Sequence, residues 1–139
     1  MTPRDYRFFD VARDMAKLST WSEHPGEQVG AIIVFRNEII STGYNRRKTF
    51  PMQAYWAEKA GRPAAVYPHA EISALHKLSN SQEYDVRMSG IGKVYVYRET
   101  ALGLGIARPC EICTMALKAF GIKRVYYTTD QGYAEEIWE

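Results

Sequence analysis

Gln28-Val29-Gly30-Ala31-Ile32-Ile33-Val34-Phe35 has one polar side chain, and that one stands at its first position. A run this short, rich in β-branched residues, reads as a strand rather than a helix. A strand with one wet face would alternate apolar with polar residues. This one does not, so both faces of its sheet are expected to be covered. Arg36-Asn37-Glu38 is a tight connection, and Ile39 to Gly43 returns as a second strand.

Working outward, Pro3 to about Leu18 reads as an opening helix, with Thr2 as its cap and Phe8, Val11, Ala12, Met15 and Leu18 on one face. Ser22 to Glu27 reads as a loop. Downstream, Tyr44 to Pro51 is a loop and Met52 to Lys59 a short helix ended by Gly61 and Pro63. His69 to Leu78 is a helix turning Ile72, Leu75 and Leu78 inward. Ser79 to Gly90 is polar and reads as an exposed loop. Lys93 to Arg98 alternates Val94 and Val96 against Tyr95 and Tyr97, a strand, and Glu99 to Arg108 is a loop. Pro109 opens a helix to Phe120 that stops at Gly121, Lys123 to Thr128 is a strand, and Gln131 to Glu139 a short helix or tail. The order α-β-β-α-β-α-β predicts an α/β protein: a three-layer α/β/α sandwich with a mixed central sheet.

At 139 residues the chain is expected to form one domain, residues 1–139. Its 46% hydrophobic and 24% charged residues are ordinary for a globular protein. The longest apolar stretch, Ala31 to Phe35, is far too short to cross a bilayer, and the N-terminus has no apolar leader core. No membrane partner and a cytoplasmic location are therefore expected. A net charge of +2 does not by itself argue for nucleic-acid binding.

The only two cysteines, Cys110 and Cys113, form a C-x-x-C. Alone, that pair leaves two readings open, a redox dithiol or half of a metal site. His69-Ala70-Glu71 upstream favours metal. A histidine and two thiolates fill three corners of a zinc tetrahedron, and the fourth corner can hold water whose pKa falls towards neutrality. Glu71, which is not a ligand, can then shuttle protons. His69 and Cys110 both stand at expected helix starts, whose partial positive charge favours thiolate. H-x-E followed by P-C-x-x-C is the pattern of the zinc deaminases. His24 and His76 carry no such context.

With these motifs in view, the chain resembles the cytidine and deoxycytidylate deaminase superfamily from Gln28 onward. Ser41-Thr42-Gly43-Tyr44-Asn45 is similar to the segment after the second strand in the deoxycytidylate deaminase branch. Pro109 to Cys113 with Gly121-Ile122-Lys123-Arg124-Val125-Tyr126-Tyr127 is similar to that branch's zinc helix and fourth strand. The resemblance implies a cytidine deaminase-like fold and a zinc-dependent hydrolytic deaminase. It makes His69, Cys110 and Cys113 the zinc ligands and Glu71 the proton shuttle. It further implies that Asn45 bonds the sugar, that backbone at Ala70 reads the base edge, and that the chain forms a homo-oligomer.

There are departures. Arg46 replaces the glycine expected after Asn45, which counts against nucleotide-triphosphate regulation. The stretch from His69 to Cys110 is long, and the short tail suggests that a fifth strand is missing or reduced. The compact length suits a phage-type relative.

The substrate expected is a cytosine nucleotide, most simply dCMP, with Arg46, Arg47 and Lys48 at its phosphate. Arg108 is a further phosphate candidate or an ion-pair partner. Among Tyr44, Tyr55, Trp56, Tyr67, Tyr126 and Tyr127, Tyr67 is the preferred residue to stack on the base. Two alternatives stay open: a deaminase of tRNA or single-stranded DNA, and a zinc-stabilised binding module without catalysis.

Overall fold

A computed structural model describes residues 1–19, 28–46, 48, 50–63 and 69–139. The loop expected at Ser22 to Glu27 lies outside them. Helix α1 (Pro3–Ala16) begins with a capping box: the Thr2 hydroxyl accepts the Asp5 N–H at 3.3 Å, and the Asp5 carboxylate accepts the Thr2 N–H at 2.9 Å. β1 (Gln28–Phe35) and β2 (Glu38–Tyr44) form an antiparallel hairpin through Arg36 and Asn37. Both turn residues have positive φ, 52° and 64°, as a two-residue turn that follows strand twist requires.

β3 (Lys93–Thr100) pairs antiparallel with β1 and parallel with β5 (Arg124–Thr129). β6 (Gly132–Ile137) returns antiparallel along β5, and the two-residue β4 (Gly103–Leu104) folds back on the end of β3. The resulting order is β2-β1-β3-β5-β6, a mixed sheet as expected. Residues alternate between its two faces. Ala31, Ile33, Val94 and Val96 join a core with α3 (Ala70–His76) and α5 (Glu111–Ala119). Ile32, Val34, Tyr95 and Tyr97 meet Phe8, Phe9, Ala12 and Ala16 of α1 on the other face. α2 (Pro51–Lys59) lies against α5 and α3. Among the described residues, no helix is long and apolar enough to cross a membrane.

Because β1 is apolar on both faces, hydrophobicity alone does not set its register. Two glycines do. A Cβ on Gly30 would lie 2.1 Å from the Ala12 carbonyl of α1, and one on Gly43 would lie 2.4 Å from the Ala70 carbonyl of α3. Each helix rests on the sheet where a side chain is missing, and the two do so on opposite faces.

Three expectations are corrected. Residues 79–90 are not a loop: α4 (Asn80–Ser89) fills them, with a capping box between Ser79 and Gln82 and a left-handed Gly90 at φ 66° as its stop. Residues 131–139 are not a helix or tail. Gly132–Ile137 within them is β6, so a fifth long strand is present and not missing. The loop from Glu99 also starts later, since β3 runs to Thr100 and β4 follows.

Candidate active site

His69 is the N-cap residue of α3 and Cys110 that of α5, and neither side chain is spent on capping its own helix. The two helix starts converge, as the sequence suggests. His69 Nδ1 lies 3.4 Å from Cys110 Sγ and 3.3 Å from Cys113 Sγ, and the three donor atoms lie within 4.8 Å of one another. Zinc held tetrahedrally, about 2.3 Å from sulfur and about 2.05 Å from nitrogen, would separate N and S by about 3.6 Å. The observed spacing is short of that by only about 0.3 Å. The donor set fits zinc.

Charge within the group is graded. Hydrogen bonding from Cys113 brings the Cys110 thiol down to about 4 against the opposing effect of burial, with His69 adding to the drop. Burial pushes Cys113 well above the ordinary thiol range. A cation between the sulfurs would release that second proton. Burial works to lower His69, but the Cys110 sulfur and the Glu71 carboxylate outweigh it and leave it raised. Glu71, in the first turn of α3, is 5% exposed, and burial raises its pKa with His69 in partial opposition. A carboxyl pushed towards neutrality is suited to accepting and returning a proton.

Two contacts fix α3. Ser41 Oγ of β2 donates to the Ala74 carbonyl at 2.6 Å, beside the close approach at Gly43. Gln53 of α2 is fully buried, and its Oε1 accepts the His69 N–H at 3.0 Å. Its Nε2 has no partner among the described residues.

His69, Ala70, Glu71 and Cys110 open on a cavity of about 290 Å³, at the low end of the roughly 300–1,000 Å³ typical of small-molecule sites. Val29, Val96, Ile106 and Ala107 form apolar walls, with Asn45, Arg98 and Arg108 as the remaining polar lining. Asn45 is buried, and its Oδ1 accepts the Val29 N–H at 2.9 Å, so that oxygen is committed to β1. Arg108 forms a bidentate pair with Glu136 of β6, Nε to Oε2 at 2.6 Å and Nη2 to Oε1 at 3.0 Å. Glu136 also accepts from Tyr127 Oη at 2.6 Å and Trp138 Nε1 at 3.3 Å, and these bonds, Arg108 first, bring its pKa down to about 2.

The other sequence candidates fall elsewhere. The Arg46 guanidinium lies over the Tyr44 ring at 5.3 Å, with Lys77 over the same ring, outside the cavity lining. Lys48 is exposed and also outside it. Arg47 and Tyr67 lie outside the described residues. Tyr126 joins the core on the α1 face, away from the site, and exposed Tyr55 meets Trp56 edge-on. Gln53, Arg98 and Glu136 were not legible as site residues. Arg98 alone had a usable sign, because it shares strand parity with Val94 and Val96.

The family described as "Cytidine and deoxycytidylate deaminase zinc-binding region" matches residues 2–129. The chain belongs to this family. Its metal is zinc, and the described residues include one His/Cys/Cys group able to hold it. The riboflavin biosynthesis protein RibD of Aquifex aeolicus (strain VF5) is 30% identical over 125 residues, covering 90% of this chain and 28% of that protein. The chain thus spans little more than a quarter of this relative's length. Two of the solved structures that share the fold are deaminases. The dCMP deaminase of cyanophage S-TIM5, in complex with dCMP and dUMP, has a TM-score of 0.57 at 20% identity over 93% of this chain and 84% of its own. The cytidine deaminase of Burkholderia pseudomallei has a TM-score of 0.58 at 15% identity, over 99% and 93%.

Proposed function

We propose that this deaminase-family chain hydrolyses the exocyclic amine of a cytosine nucleotide, dCMP to dUMP in the simplest case. The observation that carries this reading is a buried carboxylate, Glu71, left out of the His69/Cys110/Cys113 donor group yet lining the same cavity. A purely structural zinc site takes four protein ligands and has no use for such a group. When bound there, zinc supplies a water acidified to near neutral pH.

Glu71 takes a proton from the attacking water and delivers it to the ring nitrogen N3 as the oxygen bonds C4. It then takes the proton of the new C4 hydroxyl and hands it to the amine as the C4–N bond breaks, so that ammonia leaves and the hydroxyl oxygen becomes the carbonyl. The Ala70 backbone and Asn45 border the same space and would hold the base and sugar. A net charge of only +2 supports a mononucleotide over a polynucleotide. We also propose a homo-oligomer, for which exposed Tyr84, Met88 and Ile91 offer an apolar surface.

The test is ammonia release from zinc-loaded protein given dCMP, CMP, deoxycytidine and short oligonucleotides, alongside Glu71→Gln. That variant is expected to keep its zinc and lose roughly 10²- to 10⁴-fold in rate. Full activity in it would overturn the role of Glu71. Turnover of oligonucleotides alone would select the polynucleotide alternative, and no turnover with zinc bound would select the binding module.

A further inference from the structure

We propose that Arg108 is the residue that reads the substrate's phosphomonoester, so that specificity for nucleotide over nucleoside is set at the cavity rim and not by the loop after β2. This rests on the cytosine-deaminase reading above. Arg108 lines the cavity with His69 and Glu71, whereas Arg46 and Lys48 do not. Its backbone is anchored: the Gly105 N–H donates to the Arg98 carbonyl at 2.9 Å, the Ala107 N–H to the Thr128 carbonyl at 2.9 Å, and buried Thr128 Oγ1 to the Gly105 carbonyl at 2.8 Å.

The side chain is anchored as well. Glu136 takes two of the five guanidinium N–H groups, one on Nε and one on Nη2. Tyr127 and Trp138 hold Glu136 in turn. The Nη1 edge takes no part in that pairing, and a fork held this way loses little rotamer freedom when it meets a planar or tetrahedral oxyanion.

Arg108 also stands next to the metal group along the chain. Only Pro109 stands between Arg108 and Cys110, so their Cα atoms are at most about 7 Å apart. Arg98 lines the same cavity, so two arginines join Glu71 in its lining, and Glu136 offsets the charge of one of them.

The experiment is isothermal titration calorimetry of the zinc-loaded full chain with dUMP and with 2′-deoxyuridine, in the unmodified protein, Arg108→Gln, Arg108→Lys and Arg46→Gln. The unmodified protein is expected to prefer dUMP by roughly 10- to 100-fold, the worth of one charged hydrogen-bonding pair. Arg108→Gln should erase most of that preference and leave deoxyuridine affinity within about twofold, with Arg108→Lys in between because it keeps charge but not the fork. Equal binding of the two ligands by the unmodified protein overturns the proposal. So does an unchanged preference in Arg108→Gln, or its loss in Arg46→Gln instead. An equal drop for both ligands in Arg108→Gln also overturns it, as damage to the fold. If the protein still deaminates a cytosine compound in these cases, the deaminase reading stands. Absence of both turnover and binding removes the two together.

Discussion

Gly43→Ala is the sharpest perturbation of how this fold aims its site. An added Cβ would lie 2.4 Å from the Ala70 carbonyl oxygen, 2.5 Å from the Ala74 nitrogen and 3.0 Å from the Ser73 carbonyl carbon, where ordinary contact begins at 3.4 Å. All three neighbours are helix backbone, so no side chain can rotate away. The shortfall of about 1 Å must be met by lifting α3 off β2. That helix carries Ala70 and Glu71, with His69 at its cap. Overpacking of this kind costs about 1–3 kcal/mol, or roughly 3–10 °C in Tm for a chain this size.

Displacing the catalytic group by about 1 Å costs a further factor of about 100 in rate, beyond any loss of folded protein. Gly30→Ala is the control. Its Cβ would meet α1 at 2.1 Å from the Ala12 carbonyl, on the opposite face of the sheet, and α1 carries no site residue. The assays are thermal melting, zinc affinity by chelator competition, and kcat/KM from ammonia release well below both melting temperatures. Both variants should melt lower, but only Gly43→Ala should lose rate and metal affinity. Parallel losses in the two, or a Gly43→Ala protein with unchanged rate and zinc affinity, would refute the reasoning.

Gln53→Leu removes the acceptor of the His69 N–H, which costs about 1–3 kcal/mol, but also removes an unpartnered buried amide, which returns a similar amount. Net stability should therefore move by less than about 1 kcal/mol while zinc affinity falls roughly tenfold or more; a chelator titration reads the second and urea melts the first. Glu136 gives a pH dependence with a fixed sign. Its folded pKa of about 2 is below its ordinary 4.5, chiefly through Arg108, so its contribution is complete above about 4.5 and is lost as pH falls towards 2. Melting curves across that window should show a steeper acid-induced loss than in Glu136→Gln, where Asp5 still contributes. The same slope in both proteins would remove Glu136 from the account.

The sheet was legible because Gln28–Phe35 and Lys93–Arg98 announce themselves through β-branched and aromatic residues at strand spacing. The metal group was legible because ligand chemistry tolerates few residue types. Elsewhere the sequence is quieter. α4 buries one side chain, Val86, so its 80–89 stretch looks like a polar loop, and only the Ser79/Gln82 box betrays it. β6 is an edge strand whose residues are at best half-buried, leaving little apolar alternation to read.

Gln53 matters through a single backbone hydrogen bond made after folding, which no periodicity reports. The cations after Asn45 were adjacent in sequence, yet the chain turns Arg46 onto Tyr44, while Arg98 and Arg108 reach the cavity from the far end of β3 and the return segment after β4. Tyr126 and Tyr127 differ by one residue and so face opposite sides of the sheet.

The central claim is a zinc site built from two sulfurs and one imidazole with one position open to solvent or substrate. X-ray absorption at the zinc edge of the loaded protein tests it most directly. Two sulfur neighbours at about 2.3 Å and two lighter neighbours at about 2.0 Å are predicted, with one sulfur lost in Cys113→Ser. A spectrum with no sulfur, or one that Cys113→Ser leaves unchanged, would contradict it.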